Sequence, residues 1–268
     1  MNHVTKSFLI KAFLASTTIA ASTLAKAEPI EDNSFLMEEA YNQDAGIVQF
    51  IQTFQRDKSG EAFYSFTAEI PVPNKTHQFS FTIPYSRLQS ESSYLNGVGD
   101  VQLNYRYQWI ANEYVLLAPR FTVLAPSGDD KTGFGVGSTG YQTNWAITVL
   151  PSPEWAVHMN FGATFYPKIT KSLPKATDLY GQNSALSVIW RLHEKFNFLT
   201  EFVQTSLQEA VGSEVETTTS VLINPGFRFA VDFEKSQLVL GASMPTPVLY
   251  SQGPASYFAY VSYEPTLW

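Results

Sequence analysis

Three arrangements in this chain carry the residue types that chemistry uses. Gly135-Val136-Gly137-Ser138-Thr139-Gly140 has the G-x-G-x-x-G spacing that lets a backbone cradle a dinucleotide pyrophosphate. That use requires a strand before the glycines and a helix after them. Here a polar stretch precedes them and an alternating, strand-like stretch follows, so they read as bends in a long loop. Asp129-Asp130, in the same loop, offers carboxylates to a divalent cation, but no further acids nearby complete an oxygen cage. His77 and Ser80 could form a base and nucleophile, yet three residues apart on a strand they point to opposite faces. His158 shares a face with Asn160, and no serine close in sequence joins them. The four histidines lack metal-ligand spacing and cysteine is absent. The sequence thus assigns no catalytic, metal or cofactor-binding residue, and the chain reads as not an enzyme.

A second set of charges is more informative. Glu69, Arg106, Arg120, His158, Arg191, Glu201 and Arg228 all fall on one face of the segments that carry them. Those segments alternate with period two, the strand period. In Val101-Gln102-Leu103-Asn104-Tyr105-Arg106-Tyr107-Gln108-Trp109 the apolar residues take one face and the polar residues the other. The same rhythm runs through 76–86, 139–150 and 154–166. Twelve strands follow, at about 46–56, 60–70, 76–86, 98–110, 114–124, 139–150, 154–166, 182–192, 195–206, 217–230, 237–247 and 255–264. Most are longer than the usual ~5–6 residues of globular strands. They suit a tilted bilayer crossing, which takes about 9–11 residues. Tight links near 111–113, 151–153 and 193–194 alternate with longer polar links at 89–97, 125–138, 168–181 and 207–216. Outer-membrane barrels have this asymmetry, with short periplasmic turns and long extracellular loops. Tyr85, Tyr107, Trp109, Tyr114, Trp155, Tyr166 and Trp190 lie near strand ends, where interfacial girdles form.

Composition agrees. The chain has 268 residues, 15% aromatic and only 15% charged, against about 25% charge in ordinary soluble domains. No apolar run approaches the ~20 residues of a membrane helix. The formal charge of −7 argues against a nucleic-acid partner. Residues 1–27 carry an export signal: Lys6 and Lys11, an apolar stretch from Ala12 to Leu24, and the small-x-small site Ala25-Lys26-Ala27. Residues 28–45 follow as an acidic segment, either a periplasmic tail or a plug that enters the lumen and meets its arginines. Residues 46–268 form the barrel. Trp268 is either an assembly signal or a cap, with Pro265 breaking the strand before it.

Ser34-Phe35-Leu36-Met37-Glu38-Glu39-Ala40-Tyr41-Asn42-Gln43, then Gly97-Val98-Gly99-Asp100-Val101-Gln102-Leu103-Asn104-Tyr105-Arg106-Tyr107, then Leu124-Ala125-Pro126-Ser127-Gly128-Asp129 resemble the outer-membrane family named for the meta-pathway of phenol degradation. The resemblance covers Asn33 to about Pro126, and the later half shares only the strand rhythm. It implies a transporter or channel-like barrel and carries no catalytic motif. The expectation is an all-β protein, a single antiparallel transmembrane barrel of about twelve strands in the cell outer membrane. Its expected role is passive uptake of small solutes, with hydrophobic or aromatic ones implied by the resemblance. The alternative is a closed structural or ligand-binding barrel. Expected partners are outer-membrane lipid, an unidentified solute and the barrel assembly machinery; no cofactor is expected. The seven charged residues above are the candidate lumen lining.

Overall fold

Alternation alone cannot satisfy a strand's backbone in lipid. Every N–H and C=O must find a neighbouring strand, and only a closed barrel leaves no edge. A computed structural model of the chain describes residues 30–90, 93–170, 173–249, 251 and 253–267. Among them, twelve strands close into one antiparallel barrel. They are β1 (Gln49–Asp57), β2 (Ala62–Pro71), β3 (His77–Ser90), β4 (Val101–Tyr107), β5 (Val115–Ala125), β6 (Gly140–Ser152), β7 (Trp155–Ile169), β8 (Thr177–His193), β9 (Phe196–Val211), β10 (Glu214–Phe233), β11 (Ser236–Ser243) and β12 (Ser256–Pro265). Each pairs with its sequence neighbours, and β1 pairs with β12 through Thr53↔Tyr260 to complete the ring. Three short segments, Ser93–Val98, Ile110–Ala111 and Thr246–Pro247, extend the ladder of neighbouring strands. The segment 1–27 and Trp268, for which the sequence suggests an export signal and a strand cap, lie outside the described residues.

The outer face carries the aromatic and aliphatic residues. Leu103 is 53% exposed, and Phe79, Phe121, Trp145, Phe161 and Phe202 stand out beside it on other strands. An apolar surface this continuous fits hydrocarbon rather than water. At the end that holds the chain termini and short turns, Trp155 stacks on Trp190 with centroids 6.1 Å apart, part of an interfacial girdle. Tyr166 departs from the girdle expected of it. It occupies an inward position on β7 and packs against Gly140, where a Cβ would come within 2.3 Å of its ring.

The strands also differ from the sequence pattern at the other end. The link expected at 207–216 is two strands continuing to a tight hairpin, with only Gly212 and Ser213 between β9 and β10. At about 3.3 Å per residue, the 20 residues of β10 exceed any bilayer crossing. Glu214–Thr219 are exposed on both faces, so water on each side erases the alternation there. The strand expected over 98–110 is interrupted at Gly99-Asp100, because Asp100 turns to another task. Its carboxylate accepts the N–H groups of Gly128 and Val136, both at 2.9 Å, and folds the 126–139 loop back over the mouth. The loop's glycines allow that approach: a Cβ on Gly135 would lie 2.5 Å from the Gly128 carbonyl oxygen. In the same loop the Thr132 hydroxyl and the Lys131 N–H hold the Asp129 carboxyl below the usual range.

Candidate functional site

An extended segment inside a barrel has no strand beside it, so its backbone must bond to side chains or stay unsatisfied at a cost. From Leu36 to Asn42 the interior segment solves this with period two. The N–H of Leu36 donates to both Glu201 oxygens at 3.0 and 3.2 Å. Those of Glu38, Ala40 and Asn42 donate to Asn160 Oδ1 at 2.9 Å, Thr148 Oγ1 at 2.9 Å and Gln108 Oε1 at 3.1 Å. The N–H of Gln43 reaches Gln78 Oε1 at 2.8 Å. The carbonyls of Asp32 and Asn33 accept from Arg228 at 2.8 and 2.9 Å, and that of Ala40 accepts from Gln108 at 2.9 Å. Amides and a hydroxyl from β3, β6 and β7, the Glu201 carboxylate of β9, Arg228 of β10 and Gln108 thus form a cradle for one extended chain.

Charge fixes the segment in place. Arg228 is wholly buried and pairs with Glu39 at 3.0 Å. Glu39 also stands 3.5 Å from His158 Nε2, whose Nδ1 is 2.8 Å from the Thr148 hydroxyl. Asp32 accepts the Tyr260 hydroxyl at 2.6 Å and the Gln49 amide at 2.5 Å. Glu38 lies between two cations, paired closely with Arg120 and 3.8 Å from Arg106. Glu69 is 3.7 Å from Arg106 and accepts from Gln78. Arg191 donates to the Tyr41 hydroxyl at 3.3 Å, and Glu201 accepts the Asn224 amide at 2.6 Å. A buried ion pair recovers its desolvation cost only when further hydrogen bonds complete it. Here both terminal nitrogens of Arg228 donate to the carbonyls of Ile30, Asp32 and Asn33, while Arg228 Nε and Glu39 Oε2 have no hydrogen-bond partner.

All seven residues singled out by strand parity face the interior and contact this network. Uncharged anchors carry as much of it: Gln49, Gln78, Gln108, Thr148, Asn160, Asn224 and Tyr260. Their signal in the sequence is only the inward parity of an amide, hydroxyl or phenol, which every lumen position shares. Ser34 Oγ lies 3.2 Å from Ser187 Oγ and 3.5 Å from Glu39 Oε1, the oxygen that also stands 3.5 Å from His158 Nε2. The cluster resembles nucleophile, base and acid, but each member is 1% exposed or less, so its geometry serves anchoring.

The segment divides the lumen. On its outer side a 370 Å³ chamber is lined by hydroxyls and amides, among them Thr53, Ser65, Thr67, Thr82, Asn104 and Thr164, interspersed with apolar Ile51, Val203 and Leu207 and the charged Glu69 and Arg120. The hydroxyls satisfy one another, as in Thr53–Ser65 at 2.6 Å and Thr67–Thr82 at 2.8 Å. Towards the outer mouth lies a 520 Å³ vestibule whose walls include Phe63, Leu124, Phe134, Tyr166 and Leu179. On the periplasmic side a 740 Å³ chamber opens among Tyr41, Lys75, Glu113, Lys235 and Glu264.

Closed strands, a lipid-facing apolar belt and a polar interior define an outer-membrane β-barrel with an N-terminal segment folded inside it. A family model described as "Putative MetA-pathway of phenol degradation" matches residues 30–244, and the chain belongs to that family. Among solved structures, it is similar to the COG4313 outer membrane channel from Pseudomonas putida F1, with a TM-score of 0.62 at 14% identity, covering 84% of this chain and 97% of that one. It is also similar to the NanC porin, with a TM-score of 0.54 at 9% identity over 82% of this chain and 100% of the other. No curated protein matches it at a significant level.

Proposed function

We propose that the barrel is a passive outer-membrane channel for small solutes, and that residues 30–48 set the width of its path. The observation that carries this reading is the placement of one segment between chambers on either side of it. Transport needs no energy source, since solute moves down its own gradient. The sequence of walls favours a solute with an apolar or aromatic body and one or two hydroxyls. Phe63, Phe134 and Tyr166 offer contact at the mouth, and the threonine and asparagine wall beyond offers hydrogen bonds. Similarity to an outer membrane channel and a porin is consistent with it. Planar-bilayer recording tests both parts. Discrete conductance steps are expected, and an aromatic alcohol added on the loop side should reduce them while a sugar of equal size does not. Absence of steps overturns the channel, and equal effects of the two solutes overturn the preference. One observation favours a closed barrel instead: the segment's N–H groups at 36, 38, 40, 42 and 43 are all satisfied where it lies.

A further inference from the structure

The chain has six arginines. Four face the interior; the other two, Arg56 on β1 and Arg87 on β3, face outward. Strand register places them in one row, Arg56↔Ala62 and Ala62↔Arg87. They are therefore two strand spacings apart, about 10 Å, with a methyl side chain between them. Small Ala62 leaves a gap, and the arginines wall a 230 Å³ groove there with Gly60 and Asn96. The next row towards the membrane is Phe54↔Tyr64↔Tyr85, and below it come Gln52, Phe66 and Ile83, with the Tyr64 hydroxyl donating to Gln52 at 3.0 Å. The outer surface thus passes from a mixed, largely apolar row through an aromatic row to a cationic one.

The height of this row is fixed by the strand. β1 has only 9 residues from its periplasmic end, about one bilayer crossing, and Arg56 is the eighth. It stands at the outer interface, where headgroups lie. Neither arginine has a carboxylate partner among the described residues. Asp57 is used by the N–H groups of Ser59 and Gly60, and Glu61 by that of Gln89. The Arg87 guanidinium is held 4.1 Å over the Tyr94 ring, and because its Nε is buried it is the terminal nitrogens that a ligand can meet. Two cations above an aromatic shelf match an anionic headgroup above acyl chains, and arginine forks suit phosphate oxygens in particular.

We infer that Arg56 and Arg87 form a binding site for a phosphate group of an outer-leaflet glycolipid, with its acyl chains against Phe54, Tyr64 and Tyr85. The site lies on the lipid face and is independent of what passes through the lumen.

Native mass spectrometry of the purified full barrel in detergent tests it, with bis-phosphorylated lipid A as the probe. Retention of the phosphorylated lipid is expected, with dephosphorylated lipid A and inorganic phosphate each bound at least about tenfold more weakly. The comparison of lipids uses the unaltered protein, so no variant need fold for it. The double variant R56Q/R87Q should lose the preference for the phosphorylated lipid while remaining folded, as read by heat-modifiable migration. Equal retention of both lipids by the unaltered barrel, or an unchanged preference in a folded double variant, overturns the site. So does tight binding of inorganic phosphate alone, which would mean an anion site without lipid.

Discussion

Arg228 is wholly buried, and its guanidinium holds Glu39 while donating to the carbonyls of Asp32 and Asn33. Removing one partner of a buried pair strands the other charge, which typically costs about 3–5 kcal/mol. Arg228→Met should therefore destabilise the barrel by that amount, measured by urea unfolding in lipid vesicles. Arg191→Met, which removes a 3.3 Å bond to the Tyr41 hydroxyl, should cost only about 1 kcal/mol. Equal costs would mean that Arg228 is not the main anchor. At this scale, strand parity made the inward direction of Arg228, Arg191 and Glu201 readable, because a pleat leaves a side chain only two choices. Their partners were not readable. Glu39 reaches β7 and β10 at once, and no local pattern encodes which strands a threaded segment will touch. On sequence alone residues 28–45 fit both a tail and a plug, because their acids suit solvent while Phe35, Leu36 and Met37 suit burial.

Strands are positioned by two surroundings, lipid outside and a wet or filled lumen inside. The pair Leu103 and Gln102 on β4 separates them. Leu103→Arg puts a charge into hydrocarbon and should cost about 2–4 kcal/mol. Gln102→Arg, on the vestibule wall, should stay within about 0.5 kcal/mol. Folding titrations in vesicles read both, and the reverse order would exchange the faces. The element scale is also where the sequence pattern failed at 207–216. Beyond the bilayer β10 is exposed on both faces from Glu214 to Thr219, so its alternation ceases although the hydrogen-bonded ladder continues from Gln208↔Thr217 to Val211↔Glu214. A cysteine placed at Ser213, the hairpin tip, should react with an impermeant maleimide on intact cells. One placed at Glu194, in the opposite turn, should react only after the outer membrane is opened. Labelling in the opposite order would invert the barrel.

For the whole molecule, the question is what the interior segment does to the electrostatics of the path. The wall supplies Arg106, Arg120, Arg191 and Arg228 against Glu69, Glu201 and Glu264, and the segment sets Glu38 between Arg106 and Arg120 and Glu39 against Arg228. Deleting residues 30–44 removes five carboxylates and no cation, and it joins the chambers on its two sides. Arg106 and Arg120 then face an open lumen with Glu69 as their nearest carboxylate. In a narrow path of low dielectric, such a change acts strongly on permeating ions. Single-channel conductance should rise, and the reversal potential in a salt gradient should move towards anions. The shift should shrink at high ionic strength, where the Debye length falls to about 3 Å at 1 M. Conductance that rises without any change in selectivity would mean that the arginines turn to wall partners once the segment is gone. Conductance that does not rise at all would place the narrowest point elsewhere, and the 126–139 loop folded over the mouth by Asp100 is the element that would then have to be cut next.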